Sequence, residues 1–291
     1  MRDAGHVVLR STPVRGQADE WMLVLAAENL SPALDRVAWD FVVSVPADQS
    51  ERAGAALAAY DLEHIPGPDD APEEPGSPWG WTAAFYVVAA LFCFFLVTGN
   101  RLSNSFWFLR GSADAELILT GESWRVITAL TLHSDLVHVL GNCLFGALFF
   151  GAAFRSLGAG LGSLVVLLAG AGGNWTTALF YGSHHSSVGA STAVFGAIGL
   201  LGGLAWVRRK RRGQRGARAW APIAAALALL AMLGMGQRAD LIAHLLGLAV
   251  GCVLGLAVAI SLPRRPGPIV QWILGGISAA LLIGCWELAL R

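Results

Sequence analysis

Charge is scarce in this chain. Asp, Glu, Lys and Arg make up 14% of its 291 residues, against about 25% in an ordinary soluble domain. Lysine is nearly missing: Lys210 stands alone beside nineteen arginines. The formal net charge is zero, so no basic excess points to nucleic acid. Cysteine is limited to Cys93, Cys143, Cys252 and Cys285. Each falls inside an apolar run, so buried free thiols are expected, not a disulfide framework or a metal site. The adjacent His184 and His185 come with no HExxH motif and no ordered carboxylate partner, which argues against zinc. No metal or other cofactor is expected, and these two histidines are assigned to a watery loop. The first 20 residues lack the apolar core of a signal peptide. No internal repeat of the kind found in many transporters is visible.

Apolar residues, by contrast, are abundant. Hydrophobic types reach 55% and the mean hydropathy is +0.58, the composition of a polytopic membrane protein with a modest soluble part. Arginine in place of lysine, with much Ala and Gly, suggests a GC-rich bacterial genome.

Residues 1–64 read as a small α+β domain of order β-α-β-α, with a further hairpin strand near 33–38. In the first helix Trp21, Val24, Leu25 and Glu28 fall at helical spacing and Asn29 is a stop signal. Val37 to Val45 is rich in β-branched and aromatic residues. Asp48-x-x-Glu51 has the form of a capping box before Ala53, Ala56, Leu57 and Tyr60. About 60 residues can only just bury a core. Nothing catalytic is visible there, and a docking or regulatory role for an unknown partner is the plain reading. Residues 65–78 hold five prolines and four acids, an extended, solvated linker.

Apolar spans follow near 81–99, 135–154, 158–181, 188–207, 219–236, 241–262 and 268–287, long enough to cross a bilayer. The third is interrupted by Gly172, Gly173 and Asn174. The loop 208–218 carries seven basic residues and is expected on the cytoplasmic side. Seven spans then place the N-terminus in the cytoplasm and the C-terminus outside. In this topology the second, fourth and sixth spans run from outside to inside. Their external ends carry His138 with Asn142, Ser191, and His244. Polar groups within spans are costly and usually face a wet interior, so three at one level argue for a site.

Serine becomes nucleophilic when a neighbouring base takes its proton, and His244 is the candidate base. Gly196, Gly199 and Gly203 on one helix and Gly247, Gly251 and Gly255 on another would let the two approach closely. Ser191 sits at a helix start, where free N–H groups can stabilise an oxyanion. His138 and Asn142, four residues apart, share a helix face and can both donate to one anionic oxygen.

The ordered set resembles the rhomboid family of intramembrane serine proteases over residues 79–262. It comprises Glu122-Ser-Trp124-Arg125, His133-x4-His138-x3-Asn142, Gly189-Ala-Ser191 with Phe195-Gly196, and Ala243-His244-x2-Gly247-x3-Gly251. The resemblance implies an all-α, six-helix core with a seventh C-terminal helix at 263–291, behind the α+β domain. It implies a catalytic dyad of Ser191 and His244, and oxyanion assistance from His138 and Asn142. Phe195 stands where the family carries an aromatic that stacks on the histidine. Gly189, His133, Trp124 and Arg125 are supporting. The implied substrates are membrane-anchored proteins, cut near the external bilayer surface of a bacterial plasma membrane. Thr192 departs from the family's Gly-x-Ser-Gly pattern but removes no reacting group. A non-catalytic rhomboid-like binder of membrane clients is the alternative. Asp240, one turn before His244, is read as a helix N-cap at the wet rim and not as a third catalytic member.

Overall fold

The computed structural model describes residues 5–37, 39–63, 76–101, 105–211, 221, 224–225, 228, 240–262 and 264–291. Most of the proline-rich linker, the end of the basic loop and most of the fifth span at 219–236 lie outside the described residues. The chain divides into two compact units, Met1–Pro72 and Glu73–Arg291.

In the first unit, β1 (His6–Thr12), β2 (Ala33–Val37) and β3 (Asp40–Pro46) form an antiparallel sheet of order β1-β3-β2. Two helices pack on it, α1 (Arg15–Ala27) and α2 (Ser50–Glu63). Strand alternation sends Val43 and Val45 to one side, where they are buried with Trp21, Leu25, Ala53 and Leu57. Asn29 does end α1. Its φ is +56°, its N–H reaches the carbonyl of Ala26, and that of Leu30 reaches Leu25, a Schellman arrangement. The capping box at Asp48 does not form as expected. A 3₁₀ turn already begins at Ala47 after Pro46, without a side-chain cap, so Asp48 lies inside the first turn.

The second unit is helical and built to cross a bilayer. Among the described residues six helices are long and apolar enough: α3 (Gly80–Thr98), α7 (Leu136–Leu157), α8 (Ala159–Tyr181), α9 (Ser191–Arg211), α10 (Leu241–Ser261) and α11 (Pro268–Leu290). The protein is therefore an integral membrane protein. Between α3 and α7 lie three short helices, α4 (Phe106–Gly111), α5 (Ala115–Leu119) and α6 (Arg125–Thr128). A two-stranded sheet, β4 (Ala113–Asp114) with β5 (Ser186–Ser187), joins this loop to the approach to α9.

The interruption expected at Gly172–Asn174 does not occur, and α8 is continuous. The three residues are contact sites. A Cβ at Gly173 would meet the Thr192 methyl and the Gly247 backbone, and Asn174 Nδ2 donates to the Val126 carbonyl at 2.9 Å. The α9–α10 seam is tighter still. A Cβ at Gly199 would strike the Leu248 carbonyl, one at Gly251 the Gly196 carbonyl, and one at Gly255 the Leu200 carbonyl. Small residues allow the helix axes to come this near where no hydrophobic driving force exists. Helix α11 packs its backbone at Gln271 on Gly160 and is fastened by side chains as well. Gln271 accepts from the N–H groups of Gly160 and Leu161 and donates to the Leu157 carbonyl, satisfying backbone groups at the α7–α8 junction.

Candidate active site

Ser191 is the first residue of α9. The Gly189–Ala190 approach to it is held from several sides. Gly189 has φ +127°, a conformation open to glycine, and its N–H donates to the Ala129 carbonyl at 2.9 Å. Its missing side chain matters again, because a Cβ there would lie 2.7 Å from His138 Nε2 and 3.3 Å from Asn142 Nδ2. The backbone before Ser191 thus lies directly against the two α7 side chains. Ala190 N–H points to His133 Nε2 at 3.4 Å, which requires a neutral ring with its proton on Nδ1. Burial supplies that state: the His133 ring is inaccessible, and desolvation pushes its pKa down to about 3.

His244 closes the first turn of α10 and is buried. Its Nε2 is 3.0 Å from Ser191 Oγ. Phe195, one turn beyond Ser191, covers the imidazole with ring centroids 4.5 Å apart and planes at 31°. The contact expected as stacking is therefore a tilted one. His138 enters from the first turn of α7, where Asp135 caps the helix by accepting from His138 N–H at 2.9 Å. Its Nδ1 lies 2.9 Å from Ser134 Oγ. Asn142, one turn on, is buried and its Nδ2 has no hydrogen-bond partner among the described residues. An amide N–H₂ left unspent in a buried position is costly unless a ligand or water meets it.

Ser191, His244, His138, Asn142 and Phe195 line one cavity of about 1560 Å³. Trp124, Arg125 and His133 do not line it. Arg125 is buried and works as a staple. Its Nε donates to Glu122 at 2.6 Å, and its other nitrogens to the carbonyls of Ser112 and Leu109 at 3.0 Å. The Trp124 carbonyl accepts from the N–H groups of Ile127 and Thr128. Thr192 turns its methyl toward Gly173 and Gly247, so the extra side chain beside Ser191 occupies a notch left by two glycines. Chemically, the cluster offers a hydroxyl in contact with an imidazole, and two donor side chains beside the same backbone turn.

One contact was not foreseen from the sequence. His185 is not simply immersed in a watery loop. Its Nε2 is 2.7 Å from Asp240 Oδ2, and the side chain retains 20% exposure. Asp240 is the N-cap expected of it, accepting from Ala243 N–H at 3.1 Å through Oδ1. A single polar run, GSHHSS, gave no hint that one of its histidines would find a carboxylate 55 residues away.

Residues 120–261 match the Rhomboid domain family. The chain is 33% identical over 190 residues to RHOMBOID-like protein 4 of Arabidopsis thaliana, covering 60% of this chain and 47% of that protein. It is 32% identical over 118 residues to rhomboid protease GluP of Bacillus subtilis, covering 40% of this chain and 23% of that protein. It is 37% identical over 83 residues to the putative rhomboid protease YdcA of the same bacterium, covering 28% and 42%. The chain spans about half or less of the length of these relatives.

Proposed function

We propose that this chain, which matches the Rhomboid domain family over 120–261, is an intramembrane serine endopeptidase with Ser191 as nucleophile and His244 as base. The observation that carries this reading is the 3.0 Å approach of Ser191 Oγ to His244 Nε2, inside a cavity cut into membrane-spanning helices. Two relatives are named as proteases or putative proteases, which supports the same reaction class.

The reaction follows from the geometry. Ser191 Oγ attacks the scissile carbonyl carbon while His244 Nε2 takes its proton. The carbonyl oxygen becomes an oxyanion. Asn142 Nδ2, which has no other hydrogen-bond partner among the described residues, donates to it. His138 joins through Nε2–H in the tautomer whose Nδ1 accepts from the Ser134 amide. Donors fixed in advance stabilise charge where it develops without reorganising. The imidazolium of His244 then protonates the leaving amine, an acyl-enzyme remains on Ser191, and water attacks with His244 again as base. Asp240 stays outside this sequence, because its oxygens hold Ala243 N–H and His185.

The substrates are membrane-anchored proteins cut near the external face, with Ser191 and His244 at the outer ends of α9 and α10. The basic cluster Arg208–Arg211 at the other end of α9 supports a cytoplasmic position there. This would be the plasma membrane of a bacterium, and tags on loop 208–218 and the C-terminus would report the orientation. The first unit is a cytoplasmic docking or regulatory domain. A fluorophosphonate probe on the full-length protein in detergent tests the central claim. Labelling that disappears in Ser191→Ala is expected. An unlabelled wild-type protein would favour a non-catalytic binder of membrane clients.

A further inference from the structure

We infer that His185 and Asp240 form a latch that sets the spacing of the reacting pair, with His185 a positioning residue for catalysis. The inference rests on the serine-protease reading and extends it to side chains that touch no reacting atom.

Its basis is a parallel connection. His185 precedes Ser191 by six residues, and Asp240 precedes His244 by four. The two segments carrying the dyad are thus tied once at Ser191–His244, at 3.0 Å, and again at His185–Asp240, at 2.7 Å. Each end of the second tie is anchored. At one end, Asp240 uses Oδ1 to accept from Ala243 N–H, and its carbonyl accepts from His244 N–H at 3.0 Å. Moving this carboxylate moves the first turn of α10 and the imidazole on it. At the other end, Gly182 at φ +70° and His184 at φ +56° turn the chain back on α8. The His185 ring then lies on Tyr181 with centroids 3.9 Å apart and planes at 10°. The His185 carbonyl accepts from Ala115 N–H at 2.9 Å, next to the β4–β5 pairing. The histidine is therefore fixed against the first loop and α8, and it presents one nitrogen to α10.

Both side chains line the same cavity as the dyad and are only 20% and 18% exposed. A tie of this kind limits relative motion of the two helix ends beyond what the Ser191–His244 pair, the Phe195–His244 ring contact and the close approach of Gly247 to Thr192 already provide. Small displacements between reacting groups are expensive in rate.

The test uses the full-length protein in detergent with two readouts, fluorophosphonate labelling rate and kcat against KM for a membrane-anchored reporter. In His185→Ala and in His185→Phe, which keeps a ring on Tyr181, both labelling rate and kcat are expected to fall about ten- to a hundredfold with KM unchanged. His185→Gln, whose amide nitrogen can reach the same oxygen, should recover most of that loss. The double variant His185→Ala/Asp240→Asn should be no worse than His185→Ala alone. Equal losses in the Gln and Ala variants, a change confined to KM, or rates for His185→Phe within about twofold of wild type would each overturn the latch. A wild-type protein that neither labels nor cleaves is a different result: it removes the protease reading and the latch with it.

Discussion

Helices α9 and α11 are both membrane spans, 21 and 23 residues long, yet 72% of the most apolar stretch of α9 is buried against only 6% of that of α11. The more apolar of the two is the exposed one, with hydropathy 1.9 against 1.3. In a bilayer this inversion has a plain reason. Lipid accepts leucine and isoleucine as readily as protein does, so burial selects small residues that allow close approach and polar ones that need partners. Helix α9 has glycines at the α10 seam and Ser191 at its mouth. Helix α11 meets the core through a few specific contacts, with Gln271 at one end and Trp286 donating to Thr131 Oγ1 at 3.2 Å near the other.

The comparison can be broken first at the chemistry. Ser191→Ala and His244→Ala should each lower cleavage of a membrane-anchored reporter by at least about 10⁴-fold while leaving a folded protein, since the pair acts as a unit. Ready residual cleavage in either variant would remove α9 from the centre of the reaction. The seam comes next. Gly251→Leu or Gly199→Leu forces a side chain into a facing backbone carbonyl, and activity should fall by about 10² or more with a lowered thermal midpoint in detergent. Gly276→Leu on α11, where a Cβ meets nothing within 4 Å among the described residues, should leave both within error. Similar damage from the two would mean that α11 is as tightly engaged as α9.

A smaller effect is expected at the oxyanion. Asn142→Ala should cost about 10²–10³ in kcat, or somewhat less, because His138 and backbone N–H groups remain. An unchanged rate would make Asn142 a packing residue. Around His244, Phe195→Ala should lose clearly more than Asp240→Asn, whose cost is expected to stay under about tenfold, far from the roughly 10⁴ of a lost triad carboxylate. The asparagine can still cap α10 and, through its amide, meet the other tautomer of His185. A thousand-fold drop for Asp240→Asn would argue for a triad after all.

The mildest test concerns the entry to α9. His133 is held at about 3 by burial, below the ordinary histidine value of about 6.5. As pH falls from about 6.5 toward 3, the unfolded chain binds a proton that the folded chain refuses. The stability contributed by neutral His133 is thus full above about 6.5 and is lost on acidification. Thermal midpoints between pH 7.5 and 5 should fall less steeply in His133→Gln than in wild type. Identical slopes would show that another group governs the acid limb.

Much of this could be read from the residues in order. The span at 188–207 appears as α9 over Ser191–Arg211, because an apolar run of that length has one stable form in lipid. His138 and Asn142 fall on one face by helical period alone, and alternation in β3 fixes which valines face the helices. Other features were legible only as conflicts. Gly172–Asn174 looks like a break in isolation, since glycine disfavours a helix until neighbours such as Thr192 and Gly247 use the space it leaves. Thr192 looks like an intrusion beside Ser191 until the same notch receives its methyl group. The Asp48 box failed because Pro46 had already started the turn.

The sequence by itself determined the apolar spans, the polar residues at their ends and the spacing that puts His138 with Asn142. These depend on local chemistry and helical period. Only the tertiary structure decided that Ser191 meets His244, that Ala190 leans on His133, and that His185 leaves its polar loop for Asp240. Those contacts join residues 53, 57 and 55 positions apart. No local propensity encodes them: the first needs the glycine seam that brings α9 against α10, and the other two need the segments before α7 and α9 to be held against their neighbours, through Gly189 N–H to the Ala129 carbonyl and Ala115 N–H to the His185 carbonyl.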